Sequence, residues 1–137
     1  KILGIITERD IVRLTAAATK LEGVSIGSVM TQSVITLSMA AFQDISAALF
    51  LFRRYRIRHL PIVSDRKELI GVVSPESIRR VLRPANLLKR RRVSELMTTS
   101  VIQAPPTASV LSLAQQMATH RISCVVITLE DEEGFFQ

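Results

Sequence analysis

A ten-residue stretch that occurs twice constrains this chain more than any other feature of its sequence. Ile26-Gly27-Ser28-Val29-Met30-Thr31-Gln32-Ser33-Val34-Ile35 returns 67 positions later as Val93-Ser94-Glu95-Leu96-Met97-Thr98-Thr99-Ser100-Val101-Ile102, with five of the ten positions identical. A second element, Gly4-Ile5-Ile6-Thr7, returns at the same offset as Gly71-Val72-Val73-Ser74. Two elements sharing one offset mark an internal repeat, so the fold must be a unit that can be used more than once.

Only the middle copy is complete, and its order can be read directly. Val34 to Leu37 is a β-branched apolar run, a strand candidate. Ile45, Ala48, Leu49 and Phe52 then form a helical stripe with spacings of three and four. Ile57 to Val63 reads as a second strand, 64–68 as a polar turn and Leu69 to Val73 as a third strand. Ser74-Pro75 opens a second helix, since a hydroxyl N-cap followed by proline is a strong start signal. Ile78, Val81 and Leu82 give its apolar face, and Pro84 limits it. Phe50 and Leu51 fall off the first stripe, at roughly 140° and 240° from Ile45 on a wheel of ~100° per residue. Apolar residues there predict a further contact, within the unit or with another subunit.

The ends supply the other copies in part. Residues 1–23 carry a third strand and a second helix, with Gly23 as a C-cap candidate. Residues 93–137 carry a first strand, a helix striped by Val110, Leu113, Ala114 and Met117, and a second strand, Cys124 to Thr128. The expected organisation is thus the second half of a repeat (1–23), a complete repeat ending in a basic linker (24–92) and the first half of a repeat (93–137). Half a unit alone leaves an open strand edge and an uncovered apolar face. The two halves are therefore expected to complete each other, within one chain or by exchange between two.

Composition bounds the remaining classes. The chain has 137 residues, 47% apolar and 22% charged, which is a globular balance. Its longest apolar run, 47–52, is far short of the ~20 residues that cross a bilayer. No membrane insertion is expected. Lys1 opens inside an apolar segment, which reads as a piece of a longer protein. A single cysteine, Cys124, excludes an intrachain disulfide and fits a reducing cytoplasm. The net charge of +6 gathers in Arg79, Arg80, Arg83, Lys89, Arg90, Arg91 and Arg92, while Glu130 to Glu133 is wholly acidic. The basic stretch is either a solvated helix face and linker or a docking site for an anionic partner, nucleic acid included.

With these residues in hand the chain resembles the cystathionine-β-synthase (CBS) domains, which occur in pairs called Bateman modules. The resemblance rests on Val29-Met30-Thr31, on Arg58-His59-Leu60-Pro61-Ile62-Val63, and on Gly4-Ile5-Ile6-Thr7-Glu8-Arg9-Asp10-Ile11. It covers nearly the whole chain. It implies an α/β (α+β) fold of tandem βαββα units, small three-stranded sheets packed with helices. It also implies a regulatory module attached to a signalling, enzyme or transporter domain, a sensor histidine kinase for instance. No cofactor is required, and the regulatory ligand is an adenine nucleotide or S-adenosylmethionine bound in the cleft between paired repeats. The family's motif is glycine, two apolar residues, Ser or Thr, two variable residues, then Asp. Its hydroxyl contacts phosphate or ribose, and its aspartate contacts the ribose hydroxyls. Thr7 and Asp10 match in full; Ser74 matches the hydroxyl, but Ser77 stands in the aspartate's place.

Each candidate residue has a plainer reading beside this one. Thr7 and Asp10 sit at the N-cap and third position of a helix, where amides and dipole favour an anion. The same Thr-x-x-Asp spacing suits a capping box that needs no ligand. Arg58 and His59 match a basic pair resembling phosphate-contacting residues, but such a pair is as well suited to solvent. Ile35, Leu60, Pro61 and Ile62 would line a slot for a purine ring, yet strand residues of this kind also build core. Catalysis finds no support: His59, His120 and Cys124 make neither a metal site nor a nucleophile–base pair. The expected function is a non-enzymatic adenosyl-ligand sensor that pairs with a second copy through its helices. The alternative is a ligand-free interaction module docking protein or nucleic acid through Arg79–Arg92.

Overall fold

The structure, a computed structural model, describes residues 1–17, 20–39, 45–81 and 92–129, with Val81 described by its backbone alone. The chain folds as two compact units, one formed by Lys1–Val34 with Ile102–Gln137 and the other by Ile35–Val101. Each holds a three-stranded mixed sheet.

In the first unit, β1 (Ile2–Thr7) leads directly into α1 (Glu8–Ala16), and a short helix α2 (Ile26–Val29) follows. In the second, β2 (Leu37–Ser38), α3 (Ile45–Tyr55), β3 (Leu60–Val63), β4 (Leu69–Val73) and α4 (Pro75–Val81) run in order. A 3-10 turn at Val93–Glu95 precedes β5 (Gln103–Ala104), α5 (Val110–His120) and β6 (Cys124–Thr128), and these last three return to the first unit.

The two sheets share one plan. β2 runs parallel to β3 and β5 parallel to β6, each pair joined across a helix as a parallel crossover requires. The central strand then takes an antiparallel neighbour: β4 for β3, with Leu60 opposite Val73, and β1 for β6, with Thr7 opposite Cys124. Strands from opposite ends of the chain therefore lie side by side in one sheet.

Apolar periodicity explains both cores. Val110, Leu113 and Met117 bury the inner stripe of α5 against Ile6, Val125 and Ile127. Ala48 and Phe52 of α3 do the same against Leu60, Ile62 and Val73. Each fully buried aliphatic side chain contributes about 1.5–3 kcal/mol. Leu51, off the stripe, packs against its own unit's core, whereas Phe50 stands 64% exposed. Both helices end on a left-handed arginine, Arg56 (φ 52°) and Arg121 (φ 51°), which turns the chain into the central strand.

The compact units divide at 34/35 and 101/102, later than the repeat boundaries at 23/24 and 92/93. The reason is a pair of backbone bridges that the repeat offset relates. Ile5 and Thr31 exchange two hydrogen bonds of 3.0 Å, and their counterparts Val72 and Thr98 exchange two of 2.9 Å. The Met-Thr segment thus binds the third strand ahead of it, not the first strand behind it. Glycine is needed at that contact. A Cβ on Gly4 would overlap the Met30 thioether, and one on Gly71 would meet the Thr98 carbonyl oxygen at 2.7 Å and the Met97 sulfur at 2.9 Å.

Several boundaries differ from those expected. The first strand of the middle copy is Leu37–Ser38 and the second starts at Leu60, because a parallel strand two residues long needs no more partner than that. Gly23 does not cap a helix; α1 ends at Ala16, and Gly23 occupies a later turn at φ 73°. Leu82, Pro84 and Glu130 to Glu133 lie outside the described residues, as does most of the basic stretch.

Candidate functional site

The nine candidate residues fall into two groups, one in each unit. Thr7 and Asp10 belong to the first. β1 ends at Thr7 in extended conformation (φ −126°, ψ 165°), so its main-chain N–H lies outside the ladder of α1. The Asp10 carboxylate turns back to satisfy it. Oδ2 accepts from the Thr7 N–H and from the Thr7 hydroxyl, both at 2.9 Å, and Oδ1 accepts from Arg13 Nη2 at 3.2 Å. Asp10 is 9% exposed while Arg13 stays in solvent. An ion pair with one member so exposed is worth well under about 1 kcal/mol, so Arg13 can leave at little cost.

This geometry has a definite polarity. A hydroxyl has one proton, and Thr7 spends it on Asp10. Toward a ligand, Thr7 Oγ1 and the remaining lone pairs of Asp10 present acceptors only. Chemically, such an arrangement can accept hydrogen bonds from a donating group, a vicinal diol among them. The Glu8 N–H donates to the Ser123 carbonyl at 3.0 Å, tying the first turn of α1 to the residue ahead of β6. Beside it, burial pushes the Cys124 thiol up to about 11, so it stays protonated and unreactive at neutral pH.

The second unit gathers Arg58, His59 and Ser74 at one end of its sheet, because Leu60 at the start of β3 faces Val73 at the end of β4. Arg58 is exposed, and His59 is half-buried and already engaged within the protein. Ser77 replaces the aspartate structurally as well as in sequence. Its Oγ accepts from the Ser74 N–H at 3.0 Å and donates to the Ser74 carbonyl at 2.8 Å, while the Ser77 N–H donates to Ser74 Oγ at 3.2 Å.

Leu60, Pro61 and Ile62 are buried, with Leu60 and Ile62 in the core, and Ile35 is half-buried against it. Pro61 has one further effect. Its counterpart in the first unit, Val126, donates its N–H to the Ile102 carbonyl at 3.2 Å. Proline has no N–H, so β2 begins two residues beyond Ile35, and the Ile35 carbonyl receives no hydrogen bond among the described residues. A main-chain acceptor is left open beside the strand that was expected to line a purine slot.

Two participants escaped the sequence reading, Arg13 and Ser123. The three-residue spacing of Asp10 and Arg13 on a helix was a signal for the first; nothing local marked the second. Elsewhere, α3 carries an open groove of about 490 Å³ lined by Ser46, Leu49, Phe50, Arg53 and Arg54. No cluster of three or more potential metal ligands occurs among the described residues. None of their helices is long and apolar enough to cross a membrane.

Comparison with known proteins agrees with this architecture. The CBS domain model matches residues 26–84 and 93–135, more than half of the chain. The chain belongs to the CBS domain family. It is a CBS pair, a regulatory module of the kind commonly attached to effector domains. A homoserine O-acetyltransferase of Methanococcoides burtonii is 30% identical over 106 residues, which are 77% of this chain and 20% of that protein. The chain thus spans about a fifth of the length of that curated relative. The CBS domain pair of protein MJ0100, solved in complex with 5′-methylthioadenosine and S-adenosyl-L-methionine, superposes with a TM-score of 0.68 at 24% identity, covering 78% of this chain and 82% of that one. CBSX2, solved in complex with AMP, superposes with a TM-score of 0.65 at 19% identity, covering 82% and 85%. At such identities the two structures establish the shared fold.

Proposed function

We propose that this chain is a non-enzymatic sensor of an adenosine-containing ligand of the AMP, ADP, ATP or S-adenosylmethionine class, controlling an attached domain. The observation that carries the reading is the acceptor-only tip of α1, where Asp10 and Thr7 face any ligand with lone pairs and negative charge. Ribose hydroxyls are donors of the right kind. Crystallised CBS proteins of the same fold hold AMP or 5′-methylthioadenosine and S-adenosyl-L-methionine, all of which carry a ribose. In the second unit, Arg58 and His59 would meet phosphate, Ser74 a ligand oxygen, and Ile35, Leu60, Pro61 and Ile62 the base, with the open Ile35 carbonyl as an acceptor for an exocyclic amine.

Control follows if the ligand prefers one arrangement of the module, since only differential affinity moves an equilibrium. Pairing of copies through helices, by way of Phe50 on α3, and residence in the cytoplasm belong to the same proposal. Thermal melting tests it. A ligand at ~100 times its Kd adds about 2.7 kcal/mol, which is several degrees for a chain of this size. AMP, 5′-methylthioadenosine or S-adenosylmethionine should raise the melting temperature, and Asp10→Ala should cancel the rise. No rise with any of them would leave the docking reading, in which Arg79–Arg92 bind an anionic partner with steep salt dependence.

A further inference from the structure

The repeat supplies its own control for two charged segments. Arg56 and Arg121 both take a left-handed turn at the end of a helix, which sets α3 and α5 in register. Around Arg56 the second unit carries Arg53, Arg54 and Arg58, where the first has Ala118, Thr119 and Ser123. All four arginines are exposed, and none pairs with an acid among the described residues. A cation in the last turn suits the helix dipole. Yet α5 makes the same left-handed exit with His120 as its one basic residue there, and Arg56 and Arg58 lie beyond α3 altogether. The same register relates Glu130-Asp131-Glu132-Glu133 to Asp65-Arg66-Lys67-Glu68. The first set carries four negative charges, and the second cancels to zero. The repeat requires neither the basic helix end nor the acidic segment, since each is missing from one of its copies.

We infer that these two segments bind each other between copies of this chain, Glu130 to Glu133 of one copy docking on Arg53, Arg54, Arg56 and Arg58 of another. The inference rests on the pairing of copies proposed above and names the charges that direct it. Arg53 and Arg54 share the groove of about 490 Å³ with Leu49 and Phe50, the latter 64% exposed. A second copy that covers Phe50 therefore arrives beside the arginines. α3 itself, Ile45–Tyr55, contains no acid. A second α3 laid on the first leaves the guanidinium groups uncompensated, whereas the acidic segment answers them charge for charge. Guanidinium and carboxylate can form two hydrogen bonds per pair, which fixes orientation as well as attraction. In a two-fold pair each copy gives its acids and receives the other's, so the contact is made twice.

Sedimentation velocity of the whole chain tests this by exchange of charge. Self-association is expected at ~0.01 M salt, where the Debye length is about 30 Å. It should weaken by about tenfold or more at ~1 M salt, where that length is about 3 Å. Arg53→Glu with Arg54→Glu should be monomeric at low salt, and so should Glu132→Lys with Glu133→Lys, because each sets like charges face to face. An equimolar mixture of the two variants should associate again, since both contacts then regain opposite charges. Association that survives either reversal, or folded variants that stay monomeric when mixed, would overturn the charged contact and leave pairing through Phe50 standing. An unaltered chain that is monomeric at both salt concentrations would remove both. Should a variant lose its fold by circular dichroism, the salt dependence of the unaltered chain decides alone, and association that holds at ~1 M salt overturns the contact.

Discussion

The two units are built to one plan, yet their tips have opposite character. The first ends β1 in a turn closed by a carboxylate, and the second ends β4 in a turn closed by two hydroxyls. Both turns satisfy the same main-chain N–H, so helix capping alone does not explain the aspartate. A serine does that work in the next unit at a comparable distance, 3.0 Å against 2.9 Å. What the carboxylate adds is charge, which suits the helix N-terminus and pairs with Arg13, and spare acceptors that the turn itself does not use. The first turn thus holds a buried carboxylate where the second holds a buried hydroxyl.

The largest test of this parallel is in the cores. Leu60 and Val125 hold equivalent places on the central strands, both fully buried. Leu60→Ala should cost about 3 kcal/mol in urea unfolding and Val125→Ala about 2, the difference following the volume removed. Equal unit plans with unequal losses far beyond that ratio would break the comparison.

Cys124 and His59 also occupy matched positions. A thiol raised from 9.0 to about 11 carries roughly a hundredfold less thiolate near pH 8 than it would unfolded, so alkylation of the native chain should be slower by that order. The sign for stability follows from the raised value. The folded chain keeps a proton that the unfolded chain releases, so the contribution is complete below pH 9 and is lost as pH rises through 11. Alkylation equally fast in native and urea-unfolded chains would contradict it.

The glycines sharpen the comparison further. Both glycines face a methionine thioether and a threonine carbonyl, but the rigid carbonyl is nearer at Gly71, 2.7 Å against 3.0 Å at Gly4. Gly71→Ala should therefore cost about 2 kcal/mol and Gly4→Ala about 1, as read from denaturation midpoints. Removal of the turn acceptors comes next. Asp10→Ala leaves the Thr7 N–H without a partner and should cost about 1.5 kcal/mol, against about 1 for Ser77→Ala. The smallest expected effect is a gain: Arg56→Gly and Arg121→Gly each relieve a left-handed backbone and should stabilise by about 0.5 kcal/mol, alike in both units.

Much of this was legible in the sequence, for reasons that individual residues make plain. The stripe Val110, Leu113, Met117 and the strands Cys124–Thr128 and Leu69–Val73 were read correctly because periodicity reports burial, and burial is what shapes those elements. The offset that relates Met30 to Met97 announced two like units. It could not announce that each Met-Thr segment binds the strand before it, because that pairing depends on space above Gly4 and Gly71 and leaves no periodic trace. The short helix at Ile26–Val29 was missed for a similar reason, being too brief to show a stripe. At the site, Thr-x-x-Asp was visible, but the direction of its hydrogen bonds was not. The sequence lists a hydroxyl, and only geometry says that its proton is spent on Asp10.

The most direct examination of the whole account follows main-chain amide signals by NMR while 5′-methylthioadenosine is titrated, with 2′,3′-dideoxyadenosine as the diol-free control. The account predicts saturable movement at Thr7 and Asp10, little at Ser74 and Ser77, and none at any of the four with the control. Equal movement at both turns, or movement at Thr7 and Asp10 that the dideoxy compound reproduces, would contradict it.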